Sequence, residues 1–135
     1  MREFSLRVIA PERLVYEGKV VSLVAPGIEG YLGVMAGHAP MLAVLGIGDI
    51  KLTTPHDHVQ HIAISGGMLD VQRSEVTVLA DCAEKASEID VHRAECALER
   101  AQERLQHPSK ELDAARAHYA LLRAVNRLQV ARKQS

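Results

Sequence analysis

The chain of 135 residues changes character near Ser87, and no single kind of layer suits both parts. Up to Ala86, short runs of alternating apolar and polar residues are broken by Gly and Pro. From Ser87 onward Ala, Glu, Arg and Leu dominate, with no Gly and one proline, Pro108. The apolar period shifts there from two to 3.6 residues, the signatures of strand and helix. The expected architecture is β + α: a β-sandwich, or flattened barrel, over residues 1–86, then an antiparallel two-helix hairpin over residues 87–135. The hairpin is too small to enclose a core of its own, so it must lie against something.

Within the first part, Phe4, Leu6 and Val8 alternate with Ser5 and Arg7, predicting a half-buried strand that Pro11 ends. Val21, Leu23 and Ala25 predict another, stopped at Pro26-Gly27. Gly27, Gly30 and Gly33 then punctuate a segment read as tight turning, and Gly37-His38-Ala39-Pro40 bends the chain again. Gly48-Asp49 leads into a short strand, Ile50-Lys51-Leu52, closed by Pro55. Gln60 to Ile64 is a further strand and Gly66-Gly67 reads as a turn. Leu69 and Val71, a turn at Arg73-Ser74, and Val76, Val78 and Ala80 complete the set. Many short strands with Gly/Pro turns indicate a sandwich or barrel.

In the second part, Val91, Ala94, Leu98, Ala101 and Leu105 form one apolar stripe. Ser87 and Asp90 have the spacing of a capping box for that helix. Pro108 cannot continue it, and Ser109 suits the N-cap of a second helix. Leu112, Ala115, Tyr119, Leu122 and Val125 predict the second stripe, with Gln106-His107-Pro108 as the connection. Ala at several stripe positions forfeits burial worth about 0.8 kcal/mol per methylene. The expectation is a weakly held pair of marginal stability, able to open.

Charge and composition exclude more than they assign. No stretch approaches the ~18 apolar residues of a membrane span. Met1-Arg2-Glu3-Phe4 leads straight into alternation, without the apolar core of a signal peptide or the Arg/Ser-rich pattern of a transit peptide. A cytoplasmic-side protein is expected. Cys82 and Cys96 match no metal or redox spacing and read as buried free thiols of a reducing compartment. The net charge is −1, divided as −3 over residues 1–86 and +2 over residues 87–135, and gives no expectation of a nucleic-acid partner. From Arg116 on, Arg116, Arg123, Arg127, Arg132 and Lys133 stand without one acid, so the last helix is a basic arm.

Three groups resemble chemistry. His56, His58 and His61 lie beside Asp57, but on a strand His61 would face away from the other two, and Pro55 indicates an exposed turn rather than a metal site. The Gly27/Gly30/Gly33 spacing lacks the Gly-Lys-Ser/Thr of a phosphate loop. His38 has no Ser or Cys at a recognisable spacing, so no catalytic residue is assigned and an independent enzyme is not expected. The third group is basic. Arg93, Arg100 and Arg104 share a face of the first helix, and Arg116, Arg123 and Arg127 repeat the spacing on the second. Two such rows brought together suit a polyphosphate, which guanidinium binds bidentately. Solvated surface pairs between neighbours within the Glu99–Arg104 stretch are the ordinary alternative.

Several stretches taken in order carry a resemblance: Val8-Ile9-Ala10-Pro11, Glu29-Gly30-Tyr31-Leu32-Gly33-Val34 and Gly37-His38-Ala39-Pro40-Met41. Ser65-Gly66-Gly67-Met68-Leu69-Asp70-Val71 and Val76-Thr77-Val78-Leu79-Ala80-Asp81 follow. Together they resemble the epsilon-subunit family of bacterial F-type ATP synthases, over Leu6 to about Val130. The resemblance implies a rotor component of the central stalk, without an active site, at the cytoplasmic side of the cell membrane. Its β-domain would bind the gamma subunit and the ring of c subunits, with Glu29, Tyr31, His38 and Pro40 at that edge. Tyr31 departs from the acidic or polar residue of some relatives, and Ala36 stands where Pro often precedes the Gly-His pair. The hairpin would either fold on the sandwich or extend to the catalytic beta subunits and inhibit ATP hydrolysis.

Some members bind ATP in the folded form through a motif of Ile or Leu, Asp, two variable residues, Arg and Ala. Here Ile89-Asp90-Val91-His92-Arg93-Ala94 completes it. Arg123 and Arg127 match second-helix arginines placed on the nucleotide, and Glu84 matches a flanking acid. ATP is thus implied as a regulatory ligand, with no cofactor required. A free-standing cytosolic ATP sensor and a metal-dependent enzyme built on His56, His58 and His61 are the competing readings.

Overall fold

Two long strands organise the β-domain. In the computed structural model, which describes residues 2–107 and 111–133 (without the side chains of 111–113), β5 (Met41–Thr53) and β6 (Val59–Val71) pair antiparallel from Met41↔Val71 to Thr53↔Val59. The ladder skips only the position of Gly46 and Gly66. On one side of that gap β6 continues to β7 (Glu75–Ala80), which runs parallel to β1 (Phe4–Ala10), itself paired with β2 (Arg13–Val20). On the other side β6 pairs β8 (Ala83–Lys85), while β5 pairs β3 (Ser22–Gly27) and β3 pairs β4 (Gly30–Met35). One hydrogen-bonded sheet, ordered β2-β1-β7-β6-β5-β3-β4, therefore bends into two layers that share β5 and β6.

The layers enclose a single apolar core. Leu6, Val8, Leu69 and Val78 from the first layer meet Leu23, Ile50, Leu52 and Ile62 from the second, all at 0% exposure. Each such side chain contributes roughly 1.5–3 kcal/mol when withdrawn from water. The alternation expected along β1 puts Phe4, Leu6 and Val8 inward. The sandwich of the sequence reading is present.

Several details differ from the reading. β2 was not anticipated, because only Val15 and Val20 of its eight residues are buried and an edge strand needs no clean alternation. The tight turn lies between Gly27 and Gly30, whereas Gly33 sits within β4, paired with Val24. Gly48-Asp49 is the middle of β5 rather than its approach. Gly66-Gly67 is a bend inside β6, with φ of 89° and 144°, conformations that only glycine adopts cheaply. A Cβ on Gly67 would stand 2.2 Å from the Leu79 carbonyl oxygen, so the bend requires both the free φ and the bare backbone.

Beyond β8 a short 3-10 turn, Ala86–Glu88, leads to α1 (Val91–Gln106) and α2 (Glu111–Ala131). The N-cap of α1 is Asp90, whose carboxylate accepts from the Arg93 N–H at 3.1 Å; Ser87 lies in the 3-10 turn, so the expected Ser87 cap is corrected. Pro108 and Ser109 lie outside the described residues, as does the Leu112 side chain. The α1 stripe behaves as expected, with Ala94 and Ala101 buried and Leu98 and Leu105 half-buried, except that Val91 is exposed. The α2 stripe does not. Tyr119, Leu122 and Val125 are exposed, and the covered side is Ala117, Leu121, Ala124 and Leu128. That row steps by four and three, as does Ala94-Leu98-Ala101-Leu105, so the two seams match heptad for heptad. α2 carries two apolar stripes, and tertiary packing chose the one with more alanine.

Gly67→Ala is expected to destabilise by about 2–4 kcal/mol, from steric overlap and an unfavourable φ. Gly33→Ala, with nothing within 4 Å of the added carbon, stays near wild type. Urea denaturation of the two variants checks both values.

Candidate functional site: the hairpin seat and the outer sheet faces

α2 lies on the outside of the second layer. Along β5 and β6, Ile50, Leu52, Ile62 and Ile64 point into the core, so Asp49, Lys51, His61 and Ala63 point out, Asp49 and Ala63 beneath the helix and Lys51 exposed. At the far end of α2, Val130 and Ala131 pack with Ala63, Ala86 and Ile89 in a small apolar cluster. Around it the contacts are polar. Asn126 Nδ2 donates to the Gly48 carbonyl at 2.9 Å and lies 3.4 Å from that of Ile64. Arg127 meets Glu84 with two nitrogens, Nε at 2.7 Å from one oxygen and Nη2 at 3.1 Å from the other. Lys133 Nζ donates to Asp49 Oδ2 at 3.1 Å.

The segment that leads into the hairpin is clamped from β2. Arg13 donates to both oxygens of Glu88, at 3.1 and 3.3 Å, and to the Ala83 carbonyl at 3.3 Å. Glu88 Oε1 also accepts from the Lys85 N–H at 3.3 Å. The Arg13 hydrogen bond holds the Glu88 carboxyl below its ordinary 4.5, and Glu88 in turn raises the Arg13 guanidinium.

A cavity of about 200 Å³ opens between α2, Ala97 of α1 and the sheet; its polar lining includes Glu84, Arg123, Asn126 and Arg127. Of the residues implied as an ATP site, the structure brings only Glu84, Arg123 and Arg127 to this cavity. Ile89 is buried in the apolar cluster, Asp90 caps α1, and Ala94 is buried in the helix seam. Arg93 stands exposed in the first turn of α1, off the cavity wall, as do Arg100 and Arg104 further along the helix. The Arg93 and Arg123 guanidinium groups make no ion pair with described residues, while Arg127 is committed to Glu84. The cavity is smaller than the ~300–1,000 Å³ usual for a ligand pocket. Its alanine walls and the one uncommitted guanidinium on its lining, that of Arg123, nevertheless fit a phosphate oxygen approaching from the open side, toward which the exposed Arg93 would have to reach.

His56, His58 and His61 border one open cavity of about 690 Å³ beside Lys85 and Ser87, but they do not assemble as metal ligands. His56 and His58 lie in the β5–β6 turn, where Asp57 takes φ 61° and donates its N–H to the Thr54 carbonyl. His61 is turned to Asp49, its Nδ1 2.8 Å from Oδ2. Among the described residues no group of three or more His, Cys, Asp or Glu is placed to hold a metal ion. Cys82 and Cys96 are free thiols, but the expectation that they are buried is corrected: Cys82 is exposed in the turn before β8 and Cys96 is half-buried on α1.

The outside of the first layer is apolar. Cross-strand pairing aligns Val44, Met68, Leu79, Ile9 and Leu14 in a row over five strands, and Leu42 stands beside it. Leu42, Leu79 and Leu14 are 69%, 50% and 51% exposed, a concentration that marks a contact surface. Of the expected edge residues, Glu29 is exposed in the β3–β4 turn and His38 and Pro40 lie in the β4–β5 connection, a different loop. Tyr31 is exposed, yet its hydroxyl accepts from the Asp49 N–H at 3.2 Å. Asp49, Asn126 and Lys133 were not foreseen; a lone outward polar residue in a strand carries no distinguishing pattern.

A two-layer β-domain with a helix hairpin seated on one face and an apolar row on the other defines a small β + α protein with an outer face suited to a partner. No helix among the described residues is long and apolar enough to cross a membrane. The family models for the ATP synthase delta/epsilon chain match twice, the beta-sandwich domain over residues 3–86 and the long alpha-helix domain over residues 87–132. The chain belongs to the ATP synthase delta/epsilon family. It is 48% identical over 103 residues to the ATP synthase epsilon chain of Syntrophomonas wolfei, covering 76% of this chain and 75% of that one. The epsilon chain of Carboxydothermus hydrogenoformans is 47% identical, covering 76% of each. In fold, the chain is similar to one in the mitochondrial ATP synthase of Euglena gracilis (OSCP/F1/c-ring), with TM-score 0.79 at 24% identity, covering 89% of this chain and 76% of that one.

Because the Glu88 carboxyl is lowered, the clamp stabilises the fold above the ordinary 4.5 and is lost as pH falls through the folded-state value. In Arg13→Gln the Glu88 titration should move back up toward 4.5, and the accompanying loss of stability at acid pH should flatten. Carboxyl NMR titration of the two proteins checks this.

Proposed function

We propose that the chain serves as the central-stalk epsilon subunit of a proton-translocating F-type ATP synthase, coupling the c-ring to the catalytic head. The same subunit restrains ATP hydrolysis through an ATP-sensitive hairpin. The observation that carries the second half is the seat of α2: an alanine seam and a few exchangeable polar contacts hold the helix, with Arg123 and Arg127 beside a cavity. The subunit would sit at the cytoplasmic side of the cell membrane as a peripheral component. The apolar row over β5, β6, β7, β1 and β2 supports a permanent stalk contact, with gamma as the occupant. It favours an assembled subunit over a free-standing cytosolic sensor, for which such a face is a liability. Glu29 and Tyr31, on the β3–β4 hairpin, would meet the c-ring.

Arg93 and Arg123 would hold the phosphates of ATP against the folded hairpin, with Arg127 and Glu84 setting the floor of the site. A ligand that binds only the folded form stabilises it by about 2.7 kcal/mol at a hundred times its Kd. That moves two states of similar energy by roughly a hundredfold. When nucleotide falls, α2 is freed and presents its basic residues and its Tyr119-Leu122-Val125 stripe to the catalytic beta subunits.

Calorimetry with ATP on the isolated chain should give saturable binding that Arg93→Ala combined with Arg123→Ala abolishes, while Arg100→Ala leaves it intact. Undiminished affinity in the double variant sinks the nucleotide part of the proposal. Leu79→Glu, in the centre of the apolar row, should end co-purification with gamma while leaving the urea midpoint close to wild type. Retained co-purification would move the stalk contact to another face.

A further inference from the structure

We infer that Asp49 is the catch of a charge latch that holds the carboxyl end of α2 on the sandwich, separately from any ligand in the arginine cavity. Asp49 is the one buried charged or polar residue among those described, at 8% exposure in the middle of β5. Three elements converge on it and on the peptide before it. Lys133, just past α2, donates to Oδ2 at 3.1 Å. His61, on β6, donates from Nδ1 to the same oxygen at 2.8 Å, since a carboxylate only accepts. Asn126 donates to the Gly48 carbonyl at 2.9 Å, and Tyr31 on β4 accepts from the Asp49 N–H at 3.2 Å.

Glycine is required before the catch, because a Cβ at position 48 would meet Pro26 Cβ at 2.4 Å and the Tyr31 hydroxyl at 2.8 Å. The backbone under α2 is thus fixed while the helix side of the contact is not. The Lys133 side chain is 50% exposed, whereas that of Asp49 is 11% exposed. When the hairpin lifts, Lys133 and Asn126 leave together, but His61 stays on the sheet and keeps its hydrogen bond to the carboxylate. Lifting also uncovers to water the outward-facing carboxylate, whose Oδ1 has no partner among the described residues in the closed form. The departing charge therefore does not strand a bare buried anion, the event that makes breaking most buried ion pairs so costly. A contact of this kind gives register to the closed form and still allows release.

The inference rests on the reading that the hairpin opens, and its test separates the two. Amide hydrogen exchange of α2 is followed by mass spectrometry on the full chain without nucleotide, with β6 as internal reference. Lys133→Gln should speed exchange of the last turns of α2 about fivefold, the upper end for a partly exposed pair. Lys133→Arg should hold near wild type, and rising salt should erase the difference. Asp49→Asn should speed exchange at least as much, and adding Lys133→Gln to it should change nothing further. Unchanged exchange in Lys133→Gln, or additive effects in the pair, would overturn the latch. So would α2 amides that exchange only together with the β6 core. Exchange that follows these substitutions but ignores added ATP upholds the latch and removes the nucleotide reading alone.

Discussion

Small side chains where the two helices meet set what the hairpin can do. Ala94 and Ala101 from α1 and Ala117 and Ala124 from α2 are all buried, at 2% exposure or less. Each alanine in place of leucine gives up about 2 kcal/mol of burial while letting the backbones come closer. Close approach fixes the geometry of the pair, and the small buried area limits its stability. The hairpin is therefore ordered without being strongly anchored by its own seam. Attachment to the sheet falls to Ile89, Val130, Ala131 and a set of polar contacts, all of which water or another partner can replace.

The β-domain has the opposite character. β5 and β6 run through both layers, and the core residues they carry are withdrawn almost completely from water. The bend at Gly66-Gly67 allows one pair of strands to serve two layers, since a side chain there would collide with the neighbouring strand. A rigid body results, with outward faces free for other work. One face is committed to α2, and the other carries the cross-strand apolar row. Arg13, reaching from β2 to Glu88, ties the start of the hairpin to that rigid body, so motion of α2 relative to the sheet would leave the 3-10 turn in place.

The architecture was legible because burial writes a period into the sequence. Phe4-Leu6-Val8 and Ala94-Leu98-Ala101 each show one face in the letters themselves. Edge strands escape this logic: β2 buries Val15 and Val20 alone, so its alternation is lost among Tyr16, Glu17 and Lys19. Glycines were ambiguous for a related reason. Gly30 turns the chain and Gly33 merely occupies a strand, and composition does not tell them apart. On α2 both stripes have helical spacing, and only the shape of α1 and the sheet decides which is covered. Asp49, Asn126 and Lys133 are spread over 84 residues, and nothing local signals that they meet.

The motif that resembles a nucleotide site has a second explanation in the fold. Ile89 would be buried against Val130 and Ala131 with or without a ligand, Asp90 would cap α1, and Ala94 would admit α2 to close approach. Three of the four defining positions thus serve the helix start itself, and their presence argues for a correctly seated hairpin before it argues for ATP. Arg93 differs. Its backbone N–H meets the Asp90 cap, but its side chain has no structural duty among the described residues. On α2, Arg127 is likewise explained by Glu84, whereas Arg123 faces the cavity uncommitted. Both side chains are exposed, Arg123 on the cleft lining and Arg93 off it, so neither is tied up by the fold and both stay free to meet an anion. The nucleotide reading therefore rests on Arg93 and Arg123 far more than on the completeness of the motif.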